Sequence, residues 1–290
     1  MRTRFAPTPS GYLHIGNAFS FILTWLLAKS RNGSILLRID DIDASRSRPE
    51  FLDDIFQTLE WLQLDYDEGP SGVENFLQHY SQTLRTDQYE KLLSKLIDNN
   101  LVYACKCTRS QIKKFSNDGH YPLTCRNLHK DLSSENVAWR IKTVPEKILV
   151  PDLKQGLISV NLYEEMRDFI VRRKDEIIAY QVASLADDLA YEIDFIVRGE
   201  DLLSSTAAQL YLAKSSNYEA FTNASFYHHP LITDNGVKLS KSEGATSIRD
   251  IKQQTHPSAI YQLVARQMGW KYQNINSLQD LLEESIRSNF

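Results

Sequence analysis

Apolar positions along this 290-residue chain follow two rhythms. Short, nearly continuous apolar runs occur at Ile35, Leu36, Leu37 and Ile39, at 169–171 and at 195–197, the mark of buried parallel strands. Between them lie segments with helical apolar spacing. One opens at Gly16 and Asn17, runs through AFSFILTWLLAKSRNG and stops at Asn32-Gly33; another covers 50–64, with Phe51, Ile55, Leu59 and Leu62 on one side. Further helices are expected at 80–100, 179–190, 202–215, 258–270 and 277–288. A first strand at Arg4, Phe5 and Ala6 ends at Pro7, which has no amide proton to give a ladder.

Alternating strands and helices predict an α/β chain with a doubly wound parallel sheet, a fold that binds ligands at the carboxyl ends of its strands. Residues 73–164 interrupt the alternation. Their strand-like stretches at 137–142 and 157–163 suit antiparallel pairs in an insert. The expected organisation is therefore 1–72 with 165–228 as the nucleotide-binding domain, 73–164 as an inserted subdomain, and 229–290 as a loop and a C-terminal helical segment.

Composition narrows the partners. The net charge of −4 provides no global attraction to nucleic acid, so any RNA contact must come from local basic patches such as Lys106, Arg109, Lys113 and Lys114. The longest apolar stretch, 18–28, is too short to span a membrane, and the N-terminus has no apolar signal core; a cytoplasmic protein without membrane partners is expected. Three cysteines, an odd number clustered between Cys105 and Cys125, favour a structural metal over disulfides. Three thiolates supply three corners of a tetrahedral zinc site, and on chemistry alone His120 is the natural fourth ligand.

Other candidate chemistry lies in loops. The stretch RFAPTPSGYLHIG makes a strand–turn–helix unit that places unpaired amides, a helix dipole and His14 at one point, a geometry that holds phosphate. Asp40 ends a strand where a substrate ammonium could be held. The string KLSKS, with Lys238 and Lys241 beside Gly- and Ser-rich sequence, can close over a triphosphate.

These stretches together resemble the class I aminoacyl-tRNA synthetases. RFAPTPSGYLHIG resembles the His-Ile-Gly-His signature with the Arg-Phe-Ala-Pro lead-in of the glutamyl branch, Asn17 standing for the last His; KLSKS resembles the Lys-Met-Ser-Lys-Ser loop. The resemblance implies ATP, with Mg2+, as a substrate held by His14, Gly16, Asn17 and Lys241, with Lys238 beside them. It implies L-glutamate held by Arg4, Phe5, Ala6, Pro7, Thr8, Asp40, Tyr180 and Arg198. Asp40 is one methylene shorter than the glutamate of that branch, and Thr8 keeps the hydroxyl of its serine. In the short paralogues that attach glutamate to queuosine in tRNA(Asp), the pattern Cys-x-Cys then Tyr-x-x-x-Cys carries the zinc; Cys105, Cys107, Tyr121 and Cys125 have that spacing, so the resemblance implies Tyr121 as the fourth ligand, with His120 as the rival. Residues 243–290 are too few for the large helical domain that reads anticodons in full-length glutamyl enzymes, so transfer to queuosine is expected; separately, a monomer is expected. A truncated glutamyl-tRNA synthetase charging a 3′ end, a non-catalytic zinc-containing RNA-binding module and a small-molecule nucleotidyltransferase are the alternatives.

Overall fold

The computed structural model describes residues 1–116, 119–234, 237–238, 247–271 and 273–290. In chain order its regular elements are β1 (Arg2–Phe5), α1 (Ile15–Lys29), β2 (Ser34–Leu37), α2 (Pro49–Trp61), α3 (Val73–His79), α4 (Thr86–Asp98), β3 (Val102–Cys105), α5 (Arg109–Phe115), β4 (Ala138–Ile141), β5 (Lys147–Asp152), β6 (Gly156–Asn161), α6 (Leu162–Met166), β7 (Ile170–Arg172), α7 (Tyr180–Ala190), β8 (Phe195–Gly199), α8 (Leu203–Ser215), α9 (Glu219–Thr222), β9 (Ser225–His229), β10 (Thr233–Asp234), β11 (Val237–Lys238), α10 (Ile248–Ile251), α11 (Ser258–Gln267) and α12 (Leu278–Arg287). They fall into two compact units: Met1–Leu84 with Phe195–Glu200 and Tyr227–Phe290, and Arg85–Asp194 with Asp201–Phe226.

The first unit opens as a β-α-β turn of the kind expected. β1 and β2 run parallel from Arg2↔Ser34 to Phe5↔Leu37, joined by α1 as the crossover. α1 is buried nearly all round from Ala18 to Ala28, so it sits in the core without an amphipathic stripe. Past the strands the ladder continues: Arg38 N donates to Phe5 O at 2.9 Å and Asp40 N to Pro7 O at 2.8 Å. That extension aligns Pro7 with Asp40 beyond the carboxyl ends of both strands. β8 lies beside β1 and is hydrogen-bonded to β9. Gly69, at φ +122°, crosses β2 so closely that a Cβ there would stand 2.5 Å from Leu37 O, which leaves room only for glycine. α11 and α12 pack into the same core through Tyr261, Val264, Leu278 and Leu281.

The second unit has an antiparallel sheet ordered β3-β4-β7 and an antiparallel β5–β6 hairpin; the strand expected at 169–171 in the parallel sheet is β7 of this antiparallel sheet, since its short apolar run fixes burial but not direction. β5 also pairs in parallel with β9 at Asp152↔Phe226. Two buried carboxylates organise its interior. Asp187 on α7, fully buried, takes Arg85 Nε at 3.0 Å and the Tyr89 hydroxyl at 2.9 Å. Asp168, also fully buried, takes Arg126, Tyr103 Oη and both the amide and hydroxyl of Thr143.

Several elements depart from the sequence expectation for identifiable reasons. The helix expected over 80–100 begins as a 3-10 turn, Gln82–Arg85, because the Asp41 carboxylate takes Gln82 N at 2.7 Å and Ser81 Oγ at 2.6 Å and fixes the chain there. β5 escapes the hydrophobic pattern because its six residues include Pro151, which argues against a strand interior. Among the described residues no helix is long and apolar enough to cross a membrane.

Candidate active site and cysteine knot

His14 is the N-cap of α1, whose first residue, Ile15, stands one before the expected opening at Gly16. Its Nδ1 accepts Gly16 N–H at 3.1 Å, and Asn17 Oδ1 accepts His14 N–H at 3.0 Å, a capping box built from histidine and asparagine. Asn17 N and Ala18 N both reach His14 O. The Gly16 and Asn17 amides, expected to stand open for an anion, are thus engaged within the cap. The positive end of the helix dipole lies here as well, and the neutral imidazole carries its hydrogen on Nε2 because Nδ1 is an acceptor.

The glutamate-pocket candidates of the first unit gather at the strand ends. Arg4 on β1 and Arg198 on neighbouring β8 are 4% exposed each, so two guanidinium groups are buried on adjacent strands. Phe5 belongs to the core, Pro7 is buried beside Asp40, Ala6 is half-buried and Thr8 is exposed. Asp40 is itself buried and grips Arg38 with both oxygens, at 2.7 and 3.0 Å. A substrate ammonium at Asp40 would share a carboxylate already held by a fork-shaped cation. Tyr180 is the first residue of α7 and belongs to the second unit. Lys238 is the last residue of β11; Lys241, with the rest of KLSKS from Leu239 onward, lies outside the described residues.

The three cysteines converge. Their sulfur atoms all lie within 4.8 Å of one another. Tyr121 Oη stands 3.4 Å from Cys105 Sγ and accepts Cys125 N–H at 2.8 Å, which brings the phenol oxygen to the same point. Among the described residues the metal-capable group here comprises the three cysteines, and His120 is not part of it. Burial and the neighbouring thiols push Cys107 up to about 11. Cys125 instead falls to about 7: burial works against its thiolate, but the Lys106 amide, Tyr121 and the other thiols outweigh it.

A neighbouring cation tests whether this donor set suits a metal. Arg140, on β4, is 6% exposed, and its guanidinium lies 3.7 Å from the centre of the Tyr121 ring. It donates to the Asp168 backbone carbonyl at 2.6 Å, its Nε has no partner, and no carboxylate pairs with it among the described residues. A buried charge without a counter-ion is strongly unfavourable. A dication on three thiolates carries at least one net negative charge, which answers that need, so the residues fit a thiolate-held zinc.

The family model for class I tRNA synthetases of the E and Q type, catalytic domain, matches residues 1–289. The chain belongs to this family. It is 35% identical to a glutamyl-Q tRNA(Asp) synthetase of Nitratidesulfovibrio vulgaris, over 89% of this chain and 83% of that protein. It is 34% identical to a glutamate–tRNA ligase of Hydrogenobaculum sp., over 99% of this chain but 62% of that protein, so it spans somewhat under two thirds of that ligase. A glutamate tRNA ligase from Elizabethkingia meningosepticum, solved with its amino acid, superposes with a TM-score of 0.74 at 24% identity, over 98% of this chain and 64% of that one. The last comparison shows the class I synthetase fold.

Three residues of this synthetase chain escaped sequence reasoning. Arg38 had a legible signal: it stands two residues before Asp40, and the two-residue period of extended chain puts both on one face. Asp54, which holds the signature turn, and Arg140, beside the knot, gave none; each acts on residues tens of positions away or across a sheet.

Proposed function

We propose that this synthetase activates L-glutamate with ATP and transfers the glutamyl group to queuosine in the anticodon of tRNA(Asp). The α-carboxylate attacks the α-phosphorus, pyrophosphate leaves, and glutamyl-adenylate forms. A ring hydroxyl of queuosine then attacks the acyl carbon, loses its proton, and AMP departs. Positioning and charge stabilisation suffice for both steps, with no protein nucleophile. Arg198 and Arg4 hold the glutamate carboxylates with Thr8, Tyr180 and the Phe5–Ala6–Pro7 wall. Asp40, tied to Arg38, reaches the ammonium through water. His14 and the start of α1 at Gly16 and Asn17, with Lys238 and Lys241, attend the phosphates, and Mg2+ accompanies ATP. One structural zinc sits on Cys105, Cys107, Tyr121 and Cys125, and the chain works as a monomer.

The observation that carries the queuosine reading is the meeting of Tyr121 Oη with three thiols, the donor pattern by which the chain resembles the short queuosine-modifying paralogues. The near-equal identity to glutamate–tRNA ligases supports a second reading, transfer to a tRNA 3′ end. Labelled glutamate offered to tRNA(Asp) with queuosine, tRNA(Asp) without it, and tRNA(Glu) separates them. Transfer to the first alone, abolished by periodate oxidation of the ring diol, is expected; labelling of the tRNA(Glu) 3′ end establishes the second reading instead. Failure of pyrophosphate exchange with every amino acid would point to a non-catalytic RNA-binding module.

A further inference from the structure

Asp54 sits on α2, outside every group assigned above, and is 3% exposed. It forms no ion pair within the salt-bridge distance among the described residues. Oδ2 accepts the Leu13 amide at 2.9 Å, and Oδ1 is buried with no hydrogen-bond partner. Burial pushes its carboxyl above the ordinary range, against the Leu13 amide and the fields of Lys252 and Arg249. A carboxylate kept in the core with one idle oxygen demands an explanation, since an apolar side chain would pack there without the desolvation cost.

Its partner supplies one. Leu13 is itself buried and immediately precedes His14. Its carbonyl accepts Ile248 N–H at 2.8 Å, at the start of α10, and His14 forms an antiparallel bridge with Ser247. Arg249 lies over the Tyr12 ring at 4.9 Å and bonds its hydroxyl, while Lys252 reaches Gln57 Oε1 on α2 at 2.8 Å. The turn Tyr12-Leu13-His14 is thus held on one side by α2 and on the other by α10. Asp54 is the only side chain among the described residues recorded as accepting the Leu13 amide.

We propose that Asp54 is a positioning residue of the nucleotide site: by fixing the Leu13 amide it fixes where His14 stands and where α1 begins. This deepens the reading of His14 as a phosphate donor and rests on it. A displacement of about 1 Å at such a group costs on the order of 100-fold in rate.

The test compares Asp54→Ala, Asp54→Asn and Leu59→Ala, the last a core truncation on the same helix that leaves the clamp intact. Two readouts are taken: kcat and KM for ATP in glutamate-dependent pyrophosphate exchange, and hydrogen-exchange protection of the Leu13 and Gly16 amides. Asp54→Ala should lower kcat about 10- to 100-fold with KM changed less than about threefold, and should expose both amides. Asp54→Asn, whose amide oxygen can still accept, should recover most of both. Unchanged kcat or unchanged protection in Asp54→Ala overturns the proposal, and so does an equal fall of kcat in Leu59→Ala. Should the unsubstituted protein exchange no pyrophosphate, the proposed function fails, and Gly16 protection, which reports the His14 cap, still decides whether Asp54 positions it.

Discussion

The signature turn and the cysteine knot solve the same problem, holding a functional loop in place, by opposite means. The turn at 12–17 is closed by the protein itself: His14 and Asn17 cap α1 reciprocally, Asp54 and Ile248 take both backbone groups of Leu13, and the hydrogen bonds run between 2.8 and 3.1 Å. The knot at 105–125 instead gathers metal-type donors. Its three sulfurs crowd within 4.8 Å without a disulfide, burial and neighbouring thiols push the Cys107 thiol up, neighbouring groups outweigh burial to bring the Cys125 thiol down, and the buried guanidinium of Arg140 beside it has no carboxylate partner among the described residues. The difference sets a turn built from the protein's own hydrogen bonds against a donor cluster that, on the proposed reading, a zinc ion would complete. Three experiments press on that contrast, in descending order of expected effect on stability.

The largest effect is metal removal. Purified protein should carry about one zinc per chain, and a strong chelator should lower the melting temperature by more than about 10 °C, since structural zinc contributes folding free energy on the order of 10 kcal/mol. Hydrogen-exchange protection should collapse in β3 and α5 while the Leu13 and Gly16 amides keep theirs. Complete chelation with an unchanged melting temperature would show that the knot is held by packing alone.

That contrast also explains what the sequence disclosed. The β1–α1–β2 unit was legible because each step is local: an apolar run, a proline stop, a helix of uniform hydrophobicity, a glycine end. The cysteine cluster was visible by spacing, and the resemblance put Tyr121 ahead of His120; local chemistry alone favoured His120, because 119–121 form an irregular loop in which either neighbour could turn inward, and Tyr121 Oη is the one found beside Cys105 Sγ. Asp168 and Asp187 gave no signal at all. Each is fully buried only because partners 65 and 98 residues away, Tyr103 and Tyr89, close over it. The cap at His14 was hidden for another reason: histidine is not among the preferred capping residues, so the pattern marked a phosphate loop and not the box that closes it.

Arg140 allows a sharper test, because the expected effect changes sign. Arg140→Met keeps most of the apolar stem while removing the charge over Tyr121. With metal bound, the substitution should weaken zinc about 10- to 100-fold in competition with a chromophoric chelator, the usual cost of losing a supporting partner of a metal ligand. In metal-free protein it should be neutral or slightly stabilising, because a buried charge without a counter-ion has been removed. Equal destabilisation with and without metal would reduce Arg140 to its hydrogen bond with the Asp168 carbonyl.

The smallest effect on stability should come from His14→Asn, and that is its value. His14 has two separable tasks on the proposed reading: Nδ1 receives the Gly16 amide, and Nε2 would donate to a phosphate of ATP. Asparagine is among the best N-cap residues, and its side-chain oxygen can take over the amide, so α1 should keep its start and stability should shift by no more than about 0.5 kcal/mol. The donor at the far side of the ring is lost. If the turn is preformed for phosphate, glutamate-dependent pyrophosphate exchange should fall about 100-fold, the scale expected for removing one donor to developing charge. His14→Ala should fall as far in rate and lose a further ~1 kcal/mol as the cap opens. A rate that follows stability across the two variants, with Asn nearly active and Ala not, would make His14 a cap and nothing more; a rate equally low in both assigns the chemistry to Nε2.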